Sequence, residues 1–300
     1  MDIPKNFPKP PTYHRQRFLL ALLQLTGGCL SKLDLQKLLF LSAQEAGLAY
    51  YDFIPYYYGC YSFQAQSDLR LLVSLDWLNE TEREVELKHK ADIFTDKEKP
   101  EKLENFVDAY CNLRGDNLIA HVYKKYPYYA IHSRIAGRVA DSTTQEKIAE
   151  EKRKIKNEKT AVYTIGYEGI SFECYINKLI CNNVLLLCDV RHNPFSRKFG
   201  FSQETLSNIL PKIGIAYMNF PELGIESKKR KNAAKGYTDL FKDYRLTLPD
   251  RQTGLERLMT ALNDKKRVAL TCFEAEPHCC HRHCISDWLE AEQGCHVEHL

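Results

Sequence analysis

Apolar positions along the chain fall into two textures. Up to about residue 90 they recur with helical spacing, and from residue 161 they come in short unbroken runs. The run Phe18-Leu19-Leu20-Ala21-Leu22-Leu23 leads into Gly27-Gly28, a pair that stops a helix. Ser31 then caps a predicted helix over Lys32–Ala46, with Leu35, Leu38, Leu39 and Leu41 apolar. A third helix is expected near Ser62–Leu75, after the turn Pro55-Tyr56-Tyr57-Tyr58-Gly59. Val85 and Leu87 alternate with charged residues, as in one strand of a wing. Helices joined by short turns and followed by such a strand predict a mostly helical, winged-helix-like domain over 1–144.

The stretch 145–160 is almost wholly charged and reads as a linker or a solvated helix. Beyond it, strands are predicted at Val162–Gly166, Val184–Val190, Ala216–Phe220 and Arg267–Phe273. Helices are expected at Ser171–Ile180, Phe201–Leu210 and Cys280–Ala291. Alternation of buried strands with helices predicts an α/β domain over 161–300 with a mainly parallel sheet.

Composition narrows the function classes. A length of 300 residues suits two domains, and 44% hydrophobic content provides for a packed core. The formal net charge of +3 neither demands nor excludes a polyanionic partner. Residues 1–12 are polar and proline-rich, without an apolar leader core, and no run is long enough to span a membrane. Eleven cysteines, an odd number without a secretory leader, are expected to be reduced thiols in the cytoplasm. Their placement is more telling, because five of them lie within 272–299, with five of the ten histidines.

Leu33-Asp34-Leu35-Gln36-Lys37-Leu38-Leu39-Phe40, followed by Phe53-Ile54-Pro55-Tyr56-Tyr57-Tyr58-Gly59-Cys60-Tyr61-Ser62, resembles the Panacea/SocA-type antitoxin modules. Cys60 stands where those modules carry proline. The resemblance implies packing for the aromatic run, not catalysis. A later tyrosine-rich segment, Tyr123–Tyr129, has Lys124 and Lys125 within it. It suits either packing at a helix end or stacking on bases.

In a parallel sheet, ligands gather at the carboxyl ends of the strands. Those ends carry Gly166 and Tyr167, then Asp189, Arg191, Ser196 and Arg197, and finally Cys272, Glu274, Cys280, His281 and Arg282. The motifs Gly166-Tyr167, Asp189-Val190-Arg191-x-x-Pro194-x-Ser196-Arg197, Phe201-Ser202, Cys272-x-Glu274 and Cys280-His281-Arg282 resemble the domain-of-unknown-function 488 family over about 162–300. One departure is Tyr167-Glu168, where many members have histidine and serine. The resemblance implies a fold and a site more than a reaction.

Arg191 and Arg197 flank a proline turn in a way that suits a bidentate grip on phosphate or carboxylate, and Arg282 offers a third cation. Asp189, at an apolar strand end, suits either orienting an arginine or catalysis. The Cys/His segment has three readings. Zinc on Cys272, Cys280, His281 and Cys284 has the right residue types. There is no paired C-x-x-C, however, and His281 and His283 would diverge on a helix. A thiolate at Cys280, activated by a helix N-terminus, is the second reading. An acid–base centre at Glu274 that needs no metal is the third. The basic run containing Lys228, Lys229, Arg230 and Lys231 suits a nucleic-acid backbone.

The resulting expectation is an enzyme that acts on DNA or on a nucleotide and cleaves a glycosidic bond of a base. Asp189, Glu274, Cys280 and His281 are the catalytic candidates. Gly166, Tyr167, Arg191, Ser196, Arg197 and Arg282 hold substrate phosphate. The alternatives are a non-enzymatic DNA-binding regulator or nucleotide sensor, and a cysteine-dependent hydrolase.

Overall fold

The structure, a computed structural model, describes residues 8–90, 100–226 and 237–300. It divides into two units, Met1–Arg153 and Lys154–Leu300. No helix among the described residues is long and apolar enough to cross a membrane.

The first unit opens with α1 (His14–Leu25), β1 (Cys29–Ser31) and α2 (Lys32–Glu45). The Ser31 hydroxyl caps α2 by accepting from the Asp34 amide at 3.0 Å. A hairpin of β2 (Ile54–Tyr56) and β3 (Gly59–Tyr61) leads into α3 (Phe63–Ser74), which Ser62 caps. The wing follows as β4 (Leu78–Glu80) and β5 (Glu84–Leu87). β5 lies between β1 and β4 in an antiparallel three-stranded sheet. Three helices with this strand order make a winged-helix arrangement. Val85 points into the core while Glu84 and Glu86 stay exposed, the alternation expected of a half-buried strand.

Helices α4 (Pro100–Tyr110), α5 (Gly115–Lys125), α6 (Ala136–Val139) and α7 (Ser142–Ile155) complete this unit. Tyr123 is fully buried, and the rings of Tyr126 and Tyr129 pack on Phe40 at centroid distances of 5.1 and 4.5 Å. Of the two readings of the tyrosine-rich segment, core packing therefore accounts for these rings. Most of the charged stretch after residue 144 is helical, because α7 buries Thr144 and Ile148 on one stripe.

The second unit is a five-stranded, all-parallel sheet in the order β10-β6-β9-β7-β8. The strands are β6 (Ala161–Gly166), β7 (Leu186–Asp189), β8 (Ala216–Asn219), β9 (Arg267–Cys272) and β10 (Val297–His299). β7 and β9 are buried along their whole length, as strands covered on both faces must be. One face carries α10 (Tyr237–Thr247), α11 (Gln252–Lys265) and α12 (Arg282–Gln293). Their Leu255, Leu258, Ile285 and Leu289 cluster with Leu186, Cys188, Val268, Leu270 and Cys272. The alternate residues of β9 look the other way, where the Tyr175 hydroxyl of α8 (Phe172–Cys181) donates to Thr271 at 2.8 Å. A further helix, α9 (Gln203–Ile209), starts at the capping residue Ser202.

The sequence predicted four of the five strands. β10 is only three residues long, and a run that short carries no readable alternation.

Candidate functional site at the carboxyl edge of the sheet

Strand register sets the candidate residues in a row. Gly166 pairs with Cys272, and Asp189 pairs with Thr271 on one side and Asn219 on the other. Gly166 is required by closeness, since a Cβ there would lie 1.8 Å from the Glu274 carbonyl oxygen. The loop after β9 therefore packs directly on the end of β6. The amides of Tyr167 and Glu168 both donate to the Phe273 carbonyl, at 3.0 and 2.9 Å.

Asp189 and Arg191 form a closed pair. Asp189 accepts from Arg191 Nε at 2.8 Å, Arg191 Nη2 at 2.5 Å, the Arg191 amide at 3.1 Å and the Tyr217 hydroxyl at 2.8 Å. Arg191 Nη1 donates to the Tyr167 hydroxyl at 2.6 Å and to the Phe201 carbonyl at 2.9 Å. The carboxylate is 0% exposed and the guanidinium is nearly so. Burial works against the charge on Arg191, but the hydrogen bonds and charge of Asp189 outweigh it and hold the proton more firmly than usual. Burial, and then the Asp189 charge, push the Tyr217 phenol up. Of the two roles open to Asp189, the geometry supports orienting an arginine. The phosphate-gripping role expected of Arg191 does not fit, because four of its five N–H donors are engaged within the protein.

Arg282 is likewise spent. It is 1% exposed, Nη2 donates to the Ala275 carbonyl at 2.7 Å, Nη1 donates to the Glu274 carbonyl, and Nε reaches Thr164. It clamps the loop that carries Glu274 instead of presenting a fork to a ligand.

Arg197 and Ser196 lie on the loop between β7 and α9, with Arg197 exposed and Ser196 half-buried. Phe195 on this loop is 72% exposed, and Phe199 and Phe273 are exposed over about two fifths of their surface. Lys198 reaches back to the Tyr167 carbonyl at 2.5 Å, and burial lowers its pKa against the opposing pull of Glu168. Glu168 accepts from the Ala275 amide at 3.1 Å. Sequence reasoning gave no role to Lys198, Tyr217 or Asn219. The position of Asn219 at the end of β8 was the available signal, since strand ends in such sheets face the ligand edge.

The Cys/His segment splits in two. The ligand atoms of Cys272, Cys280 and His281 all lie within 4.8 Å of one another, and all three residues are buried. Cys284 stands apart, with Sγ 3.8 Å from the Phe241 carbonyl and 3.5 Å from His283 Nε2. Cys272 Sγ is 3.5 Å from the half-buried Glu274 carboxylate. The Cys280 thiol does not have the lowered pKa expected for a helix-activated thiolate. Burial, and then the neighbouring Cys272, push it well up. Helix α12 starts only at Arg282, two residues beyond Cys280. Lys228, Lys229, Arg230 and Lys231 lie outside the described residues.

Residues 171–289 match the family model Domain of unknown function DUF488. The C-terminal unit is similar to that family over these residues. The match runs from the cap of α8 into α12, so it takes in the Asp189–Arg191 pair and the Cys272–Cys280–His281 cluster, while β6 and β10 lie outside it. No curated protein and no solved structure gives a match.

Proposed function

We propose that the C-terminal unit binds a nucleotide or a nucleic-acid strand at the carboxyl edge of its sheet and hydrolyses a glycosidic bond there. The observation that carries this reading is the loop Phe195-Ser196-Arg197-Lys198-Phe199, where two exposed rings bracket two cations beside the strand ends. Exposed aromatics interleaved with basic residues make a platform for stacked bases and backbone phosphates. Glu274 is the working carboxylate, because it stays half-buried at the edge while Asp189 is committed to Arg191. A carboxylate so placed stabilises an oxocarbenium-like sugar or positions the attacking water. A base in a duplex has to be flipped out to reach it. Cys280 as the nucleophile fits poorly, since its thiol is 1% exposed and held protonated by burial.

The test is to incubate the full chain with nucleotides and with plain and base-modified single-stranded and duplex DNA. Released base is measured by mass spectrometry and abasic sites by alkaline cleavage. Base release that Glu274→Gln reduces on the order of 10²-fold or more is expected for a lost acid–base or charge-stabilising group. Absence of release with every substrate refutes the glycosidic reading. A second reading, a non-enzymatic DNA-binding regulator, rests on the winged-helix order of β1, β5 and β4. DNA binding without turnover, indifferent to Glu274→Gln, selects it.

A further inference from the structure

We propose that Cys272 Sγ, Cys280 Sγ and His281 Nδ1 form a three-ligand site for a zinc ion. The argument begins with the backbone. Cys280 is extended (φ −138°, ψ 142°), whereas His281 turns helical (φ −59°, ψ −17°). This switch brings adjacent side chains to one point, which neither a regular helix nor a regular strand allows. Cys272 reaches the same point from the end of β9.

The separations suit a tetrahedral ion. His281 Nδ1 lies 3.8 Å from each of the two sulfurs. Zn–S and Zn–N bonds of about 2.3 and 2.0 Å at tetrahedral angles place sulfur and nitrogen about 3.5 Å apart. A few tenths of an ångström of closure brings the nitrogen and each sulfur to that spacing, and the two sulfurs, within 4.8 Å of each other, close to the roughly 3.8 Å that two Zn–S bonds set.

The imidazole is already set for ligation. His281 Nε2 is 2.9 Å from the Val190 carbonyl, a group that can only accept. Nε2 therefore carries the proton, and the Nδ1 lone pair faces the two sulfurs. A backbone carbonyl on the far nitrogen is the usual support of a metal-bound histidine. Two thiolates and a dication also sum to zero charge, as a fully buried position requires. Three protein ligands leave a fourth position on a tetrahedral ion, and Glu274 stands beside the cluster with its carboxylate 3.5 Å from Cys272 Sγ. Cys284, expected from the sequence as a fourth ligand, points elsewhere.

This inference is independent of the glycosidic reading, because its test reads metal and not turnover. The full chain, purified in reductant without chelator, is expected to carry one zinc by elemental analysis. After stripping and titration with Co²⁺, it is expected to show a thiolate-to-cobalt charge-transfer band and tetrahedral d–d bands. Cys272→Ser, Cys280→Ser and His281→Gln are each expected to lose stoichiometric metal, while Cys279→Ser and Cys284→Ser keep it. Should the first three fail to fold, the cobalt spectrum of the unmutated chain still decides. Wild-type protein without zinc and without a charge-transfer band overturns the proposal. So does a Cys272–Cys280 disulfide found by peptide mapping of protein kept in reductant, or full metal content in a folded Cys272→Ser/Cys280→Ser double variant.

Discussion

Asp189→Asn separates a framework role from a catalytic one. The carboxylate accepts four hydrogen bonds, three of them from Arg191, at zero exposure. Asparagine keeps the shape but replaces one acceptor oxygen with an NH₂ donor. Either orientation turns that donor toward a group that itself donates, and the guanidinium is left buried without a counter-charge. Breaking such a pair from one side costs about 3–5 kcal/mol. At about 2–4 °C per kcal/mol for a domain of this size, the C-terminal unit is expected to melt roughly 10 °C earlier. The chain holds two tryptophans, Trp77 in the first unit and Trp288 in α12. In a Trp77→Phe background, Trp288 fluorescence therefore reports urea unfolding of the second unit alone. The double variant Asp189→Leu/Arg191→Met removes both charges and is expected to recover part of the loss. A destabilisation below about 1 kcal/mol, far short of the buried-pair cost, refutes the framework role. An undiminished melting point with abolished turnover would return Asp189 to the catalytic set.

Two further outcomes follow from packing and titration. Gly166→Ala places a methyl against the Glu274 backbone, where no flexible side chain can yield. It is expected to destabilise the second unit by about 1–3 kcal/mol in thermal melts and to displace the Glu274 loop, so an unchanged melting point counts against the close packing described. In the first unit, burial pushes the Cys60 thiol from its usual 9.0 to about 11. The folded-state pKa is the raised one, so this contribution is fully present below pH 9 and is lost as pH climbs through 11. Lys37, whose pKa burial lowers, works in the opposite direction, so the readout is wild type minus Cys60→Ala. That difference is expected to fall with pH at up to about 1.4 kcal/mol per unit, and a flat difference refutes the assignment.

The fold was legible because its signals are local. Fully apolar strands such as Leu186-Leu187-Cys188 can exist only where helices cover both faces, and Ser31, Ser62, Ser171 and Ser202 mark helix starts by capping. The DUF488-like motifs pointed to the carboxyl edge of the sheet, where the structure brings their residues together. Which charges are open at that edge was not legible. Arg191, Arg197 and Arg282 look alike in sequence, yet only Arg197 is exposed, because the loops that spend the other two come from residues 167, 201, 274 and 275. The cysteine cluster was legible in part, since Cys272, Cys280 and His281 stood among the zinc candidates but Cys284 was counted with them. Helical spacing was applied to His281 and His283 from a helix expected to begin at Cys280, whereas the helix begins at Arg282.

The bonds that hold this edge end mainly on main-chain carbonyls. Arg282 grips those of Glu274 and Ala275, Lys198 that of Tyr167, and His281 that of Val190. A carbonyl is the same whatever side chain its residue bears. The grip of Arg282 is therefore blind to the identity of residues 274 and 275. Substitution there can alter what is bound or transformed without loosening the frame, and selection can explore new chemistry on this rim at little structural risk.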